Sequence, residues 1–358
     1  MKPPSLALSL CLALAACKRP PPEAHTENDI ARRAPRESPP APTAPAAADG
    51  STAPSAPANA PAAIDTSPIP APAAPGTSPW TPPPVATLQR MSVRQRAEAV
   101  IVPFDDPTTS RVRALFRAGA AAGQRADVFA KLGDSITESG SFLMDIGHGW
   151  HELGPWAPRL EPVVRYFSRH HISETGEGNS FTRQSRAAEA GWTTNTLLHE
   201  GDNSRLEQEL TQTRPAFAIL MIGTNDSERS NVETYTRQLN EIVRRVLAHN
   251  VVLVLSTIPD HLGTPEAGAL GRQLNEVVRR VAFEQHLPLI DLWASLQGLP
   301  HQGINEDNVH PSIYMGAAGN NPSGGVFTDR ALMFGYNMRN LTTLLMFERL
   351  MQLLDLHP

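Results

Sequence analysis

The sequence predicts a three-layer, doubly wound α/β domain built on a mostly parallel sheet. Short runs of β-branched and apolar residues alternate along the chain with helical patterns, which is the order that parallel strands with crossover helices require. The apolar runs are apolar on both faces, and strands covered by helices on each side have this pattern.

The elements follow from local patterns in chain order. The predicted strands are 126–132, which ends at a Gly-Asp-Ser turn, 216–222, which ends at Gly223, 251–255, which Ser256 and Pro259 close, and 287–292. The predicted helices are 232–248, which places Leu239, Ile242, Val243, Val246 and Leu247 on one face, 266–285 and 337–354. Ligands of such sheets bind outside the carboxyl ends of the strands, so the polar residues that follow the strands are candidate site residues.

The first 90 residues have a different composition from the rest of the chain. A basic Lys2, an apolar run over 6–14 and small residues before Cys17 predict a signal peptide over 1–16. The string 14–17 resembles a bacterial lipobox, which implies a lipid on Cys17. This lipid would anchor the protein to a membrane, and the location would be extracytoplasmic. Nineteen of the 34 prolines lie in 20–84, so we interpret 17–90 as a disordered tether and 91–358 as one domain.

Composition and charge exclude several classes of function. The net charge is −5 and no basic stripe is interleaved with aromatic residues, so we expect no nucleic-acid partner. Both cysteines, Cys11 and Cys17, lie in the leader region, so the domain has neither a disulfide nor a thiolate metal site. No acidic ligands at suitable spacing accompany the four histidines at 148, 151, 170 and 171, and no nucleotide-binding motif is present; we expect neither a metal nor a cofactor.

Four short motifs carry residues suited to nucleophilic acyl chemistry. Ser135 follows a predicted strand, Gly191 lies in a Gly-Trp-Thr-Thr string, Asn225 follows the next strand, and Asp307 and His310 share one loop. Each motif alone also fits a structural role, as a helix cap, a loop glycine, a turn or a solvated loop. A serine hydroxyl needs a base and a carboxylate to act as a nucleophile, and the chain offers all three.

Together and in this order the motifs resemble the four blocks of the SGNH (GDSL-type) hydrolase family, over about 126–311. The resemblance implies a flavodoxin-like sheet and ester hydrolysis. It also implies that Ser135 is the nucleophile, that Asp307 and His310 complete a triad, and that Ser135, Gly191 and Asn225 form the oxyanion hole. Ester cleavage needs these roles, because negative charge develops on the carbonyl oxygen while a proton moves from serine to the leaving alcohol.

Two alternative assignments are less favoured. Asp145 and His148 repeat the Asp-x-x-His spacing, but they follow Ser135 too closely to come from another strand end. Thr137 replaces the second glycine of the G-x-S-x-G elbow, which disfavours the α/β-hydrolase family. Among the aromatic residues of 140–190, most are expected in the core, whereas Trp192 is our candidate for substrate contact.

We therefore predict a serine esterase that removes short acyl groups. The acyl-ester substrate follows from this constellation of residues, whereas acetylated carbohydrate as its expected example follows only from what many secreted members of the resembled family do. One alternative is an O-acyltransferase, in which a sugar hydroxyl replaces water and the same residues act. The other is a surface binding module that kept the fold without the chemistry.

Overall fold

The computed structural model describes residues 80–172, 178–316 and 321–358. The predicted signal peptide, Cys17 as the predicted lipidation site and most of the predicted tether lie outside the described residues. Within them, no helix is both long and apolar enough to cross a bilayer.

Four strands and thirteen α-helices make up the regular structure of the described residues. The strands are β1 (Arg125–Gly133), β2 (Pro215–Met221), β3 (Val252–Ser256) and β4 (Leu289–Ile290). The helices are α1 (Val85–Arg90), α2 (Val93–Ala99), α3 (Asp106–Ala121), α4 (Ser135–Glu138), α5 (Met144–Gly147), α6 (Ala157–Ser168), α7 (Thr194–Leu198), α8 (Arg205–Thr213), α9 (Asp226–Arg229), α10 (Val232–Ala248), α11 (Pro265–Glu284), α12 (Leu292–Leu296) and α13 (Gly335–Leu354). Short 3₁₀ turns occur at Gly154–Trp156, Gly201–Asn203, Pro300–Gly303 and Ala331–Met333.

All four strands are parallel and neighbour one another in chain order, β1-β2-β3-β4. A single parallel bridge from Gly133 to Ala188 pairs a further segment with the free side of β1. The chain therefore leaves β1 toward one side, returns, and then builds β2 to β4 on the other side. This change of direction lies at the carboxyl end of β1, which is where doubly wound sheets bind their ligands. The predicted α/β fold is confirmed.

Helices cover both faces of the sheet. Helices α8, α10 and α11 lie on one face, and α3, α6 and α13 on the other. The second face contains an aromatic core, in which Phe129 of β1 and Phe217 of β2 are adjacent in register and both contact Phe167 and Phe347. These rings meet edge-on or tilted, as aromatic quadrupoles favour. This packing fixes β1 between two layers and so holds the turn that follows it.

Several element ends are shifted by one or two residues from the sequence prediction, and two assignments differ in kind. Residues 85–90, assigned to the tether, form α1, because Leu88 is completely buried against Val100 and Ala294 and ties this segment to the domain. The predicted strand 287–292 is a strand only at Leu289–Ile290. It stops there because the Asp291 side chain accepts a hydrogen bond from the Ala294 backbone N–H and so begins α12.

Candidate active site

The candidate nucleophile Ser135 is the first residue of α4, directly after β1. A Cβ on Gly133 would lie 2.2 Å from the Met221 carbonyl oxygen, so this tight turn requires glycine. The buried Asp134 caps the helix, because its Oδ1 accepts a hydrogen bond of 3.1 Å from the Ile136 N–H. Burial raises the pKa of Asp134 to about 6. The Ser135 N–H opens the helix and has no intrahelical acceptor, so it is available to an external one.

The loop that carries Asp307 and His310 is held by its own hydrogen bonds. The Asn305 N–H donates to the His310 carbonyl at 2.7 Å. Asp307 Oδ1 accepts from the N–H groups of Val309, at 3.0 Å, and His310, at 2.9 Å. Burial acts to raise the pKa of Asp307, but these bonds and the His310 ring outweigh it and hold the pKa below its usual value. Asp307 is therefore a carboxylate at neutral pH.

The structure brings Ser135, His310 and Asp307 into one hydrogen-bonded chain. Ser135 Oγ lies 2.9 Å from His310 Nε2, and His310 Nδ1 lies 2.8 Å from Asp307 Oδ2. When Nδ1–H donates to the carboxylate, the lone pair of Nε2 faces the serine hydroxyl and can accept its proton. This arrangement has the geometry that a serine nucleophile and its general base require.

The Gly191 and Asn225 segments lie together beside the nucleophile turn. The Glu138 carboxylate of α4 accepts from the Ala190 N–H at 2.8 Å, and Asn225 Nδ2 donates to the Trp192 carbonyl at 2.9 Å. Gly191 has a φ of 78°, and a Cβ there would meet nothing within 4 Å, so glycine is needed for the backbone conformation and the space above it is open. The amide of Asn225 has a second N–H that can serve an incoming oxygen.

A buried carboxylate, which the sequence did not single out, joins these two segments. Asp226 accepts from the Thr194 N–H, at 3.1 Å to Oδ2, and from Thr194 Oγ1, at 2.5 Å to Oδ1. Burial raises the pKa of Asp226 against the opposing effect of those bonds. The Gly191-Trp192-Thr193-Thr194 string is thereby fixed to the strand end that carries Asn225, so the two candidate donors share one support.

A second unpredicted feature is a clamp on α4 from the last helix, α13. The buried guanidinium of Arg339 donates from Nη1 to the Ile136 carbonyl at 2.6 Å and from Nη2 to Thr137 Oγ1 at 2.9 Å. Its Cζ lies 3.6 Å from the centre of the Phe142 ring, a cation–π contact. Tyr336 Oη also donates to the Ile136 carbonyl, at 3.3 Å. Both side chains therefore hold the turn that presents Ser135. The available signal was the set of polar residues within an otherwise apolar helix.

The other candidates have different surroundings. The Trp192 ring is 9% exposed and packs in the main core, so it contacts the site through its carbonyl rather than as an open platform. Asp145 accepts from the Gly324 N–H, and the His148 ring stacks on Trp150, so neither is hydrogen-bonded to Ser135. Within the described ranges, no group of three or more histidine, cysteine or acidic residues could hold a metal ion.

The comparison with protein families identifies the class. The profile of the GDSL-like Lipase/Acylhydrolase family matches residues 132–314, just over half of the chain. The protein is a hydrolase of ester bonds, and the chain belongs to the GDSL-like lipase/acylhydrolase (SGNH) family. No curated protein matches the chain in sequence.

Several solved structures resemble the chain at low sequence identity. A GDSL-like lipase from Bacteroides thetaiotaomicron is 14% identical, with 67% of this chain and 98% of that one covered and a TM-score of 0.39. An α/β hydrolase from the metagenome of Lake Arreo is 18% identical, with 63% and 95% covered and a TM-score of 0.41. An acetylxylan esterase from Geobacillus stearothermophilus is 18% identical, with 63% and 94% covered and a TM-score of 0.39. These distant similarities do not bear on the substrate of this chain.

Proposed function

We propose that the protein is a serine esterase that hydrolyses short acyl esters, including O-acetyl esters of carbohydrate, through an acyl-enzyme on Ser135. The observation that carries the proposal is the chain of hydrogen bonds from Ser135 Oγ to His310 Nε2, at 2.9 Å, and from His310 Nδ1 to Asp307 Oδ2, at 2.8 Å. It joins Ser135, which follows β1, to His310, 175 positions away.

The first half-reaction transfers the acyl group to the enzyme. Ser135 Oγ forms a bond to the acyl carbon while His310 Nε2 takes the hydroxyl proton. The carbon–oxygen bond to the alcohol then breaks, and His310 returns the proton to the leaving oxygen. Asp307 stabilises the imidazolium that exists between these two steps and holds the ring in the tautomer that the reaction needs.

Negative charge on the former carbonyl oxygen is stabilised by three donors. We assign this role to the Ser135 N–H, the Gly191 N–H and the second N–H of Asn225 Nδ2. The support is that Asp226 and Glu138 hold the surrounding backbone before any substrate binds, since a donor fixed in advance costs no reorganisation during the reaction.

Water completes the cycle in the proposed hydrolysis. The side chain of His310 is 40% exposed, so a water molecule can approach Nε2, give it a proton and attack the acyl carbon. The bond from the acyl carbon to Ser135 Oγ then breaks, His310 returns the proton to Oγ, and the free acid leaves. An O-acyltransferase would instead exclude water in favour of a second alcohol. The exposure of the base favours hydrolysis, and an added sugar alcohol should therefore yield free acid rather than a new ester.

Hydrolysis of p-nitrophenyl esters, from acetate to palmitate, tests the proposal on the full chain. We expect highest kcat/KM for the short esters and a loss of about 10⁴-fold or more in Ser135→Ala. Ser168→Ala is the matched control, because this serine ends α6 and its hydroxyl has no hydrogen-bond partner among the described residues. Activity retained in Ser135→Ala would remove the nucleophile assignment, and inactivity of the wild type on every ester would favour the binding module.

A further inference from the structure

A cleft lined in part by the segment that follows the Ser135 turn contains the most exposed tryptophan of the described residues. The cleft has a volume of about 680 Å³, and its lining includes Ser141, Asp145, Trp150, Asn321 and Ser323. We refer to it as the Trp150 cleft. The Trp150 side chain is 68% exposed, whereas Trp156 and Trp192 are buried. An exposed indole beside polar groups in a concave site is typical of ligand binding.

In the sequence, the two walls of the cleft follow the segments that carry Ser135 and His310. Gly140 and Ser141, at one end of the cleft, follow Ser135 by five and six residues, after the single turn of α4. The other wall, at Asn321 and Ser323, follows His310. Arg339 of α13 donates to the Ile136 carbonyl beside Ser135, and the adjacent Asn340 donates to the Ser141 and Gly324 carbonyls at the cleft, so one stretch of α13 supports both places. A substrate bound at Ser135 that extends its alcohol portion along this side would reach the cleft.

Hydrogen bonds to buried groups hold the two walls together. Asn340 Nδ2, on α13, donates to the Ser141 carbonyl at 2.8 Å and to the Gly324 carbonyl at 3.0 Å. Asp145 Oδ2 accepts from the Gly324 N–H at 2.7 Å, and the Trp150 N–H donates to the Asp145 carbonyl at 2.8 Å. The cleft is therefore formed before a ligand binds, which lowers the ordering cost of binding.

The chemistry of the lining favours a sugar ring. The indole of Trp150 is supported by the His148 ring, which stacks on it at 4.6 Å with an angle of 26°. A pyranose presents C–H groups on one face, which suit the negative face of an indole, and hydroxyls around its edge, which suit serine, asparagine and carboxylate groups. An acyl chain offers no hydrogen-bonding groups to this polar lining, and a phosphate would be repelled by Asp145.

We propose that the Trp150 cleft binds the sugar ring that bears the ester, so that the alcohol portion of the substrate is a carbohydrate. This inference rests on the proposed esterase function at Ser135. It assigns Trp150 as the stacking residue and the polar lining as the groups that orient the hydroxyls. The carbonyl oxygen of the ester would then lie at the proposed donors of Gly191 and Asn225.

The test compares sugar and non-sugar acetates in Trp150→Ala. For glucose pentaacetate and acetylated xylo-oligosaccharides, we expect KM to rise about tenfold with little change in kcat, as loss of one stacking contact predicts. For p-nitrophenyl acetate we expect kcat/KM to stay within about twofold of wild type, because this ester does not need the cleft. Trp150→Phe should restore most of the sugar-ester KM.

Phe283→Ala is the matched control, since Phe283 is another exposed ring, 44% exposed, on α11 and outside the cleft. An unchanged KM for the sugar esters in Trp150→Ala would overturn the inference, as would an equal loss on both kinds of ester or no hydrolysis of sugar acetates by the wild type. Failure of the proposed function has a different signature, because activity on p-nitrophenyl acetate would then survive in Ser135→Ala, whatever the result with Trp150→Ala.

Discussion

The proposed nucleophile, Ser135, and its proposed base, His310, come from two regions of contrasting construction. The turn at Ser135 lies between buried groups: Asp134 and Arg339 are 0% and 2% exposed, and both hold α4 from below. The loop of Asp307 and His310 lies at the surface, with side chains 45% and 40% exposed, and its order comes mainly from hydrogen bonds within the loop. The position of Ser135 is thus fixed by buried groups, whereas solvent reaches His310. The proposed hydrolysis needs this access, because the base must exchange protons and admit water.

This contrast predicts that changes in the base loop affect activity but not folding. His310→Ala should lower kcat/KM for p-nitrophenyl acetate by about 10⁶-fold, and Asp307→Asn by about 10⁴-fold, because the second variant keeps the base in the wrong tautomer. Since both side chains are exposed, the free energy of unfolding should change by less than about 1 kcal/mol. Kinetics and urea denaturation check the two halves of the prediction. A loss below tenfold in Asp307→Asn would contradict the assigned role.

Changes under the nucleophile should affect folding and activity together. Arg339→Met leaves Thr137 Oγ1 without its donor and removes one of two donors to the Ile136 carbonyl, so we expect unfolding to become about 1–3 kcal/mol easier. The displaced turn should also lower kcat about tenfold, since small errors in the position of a nucleophile are costly. Measurements of kcat and KM below the melting temperature separate misplacement of Ser135 from unfolding of the protein.

Tyr336→Phe is the matched control for this clamp, because it removes only the hydrogen bond to the same carbonyl. Its effect on kcat should be smaller than that of Arg339→Met. An Arg339→Met enzyme with unchanged kcat would show that α13 supports the fold without positioning the serine.

The smallest expected effect is a pH dependence of stability, and it arises from a buried lysine of β1. Burial, followed by the nearby Arg183 and Arg339 charges and against the attraction of Glu209, lowers the pKa of Lys131 to about 7. Between about 7 and its ordinary value of 10.5, the unfolded chain binds more protons at this site, so stability should rise with pH across that window. Urea denaturation at several pH values, with Lys131→Met as control, checks this. An identical slope in both proteins would contradict it.

Patterns within one segment predicted much of the fold. Helix α10 has the predicted bounds, Val232–Ala248, because its buried residues recur on one face at helical spacing. The end of β4 was mispredicted since Leu287–Leu292 is apolar almost throughout, and only the cap made by Asp291 ends the strand. That cap depends on a carboxylate also bound by Arg279, 12 residues away, which no local window includes.

For the candidate site, short motifs located the residues that would contact the substrate, and the structure brings those residues together. The residues that support them were missed for a physical reason. Asp226 and Arg339 act by hydrogen bonds to segments 32 or more positions away. The local sequence pattern indicates only a turn residue for the first and an exposed charge on a helix for the second. Burial makes such groups important, and burial is a property of the whole fold.

The final helix has a practical consequence for how the protein is produced. The family profile ends at 314, yet α13 begins at Gly335 and supplies Arg339 to the serine turn and Asn340 to both walls of the Trp150 cleft. A chain trimmed at the profile boundary would retain every motif residue and lose the scaffold beneath them. Expression boundaries should therefore run to at least Leu354.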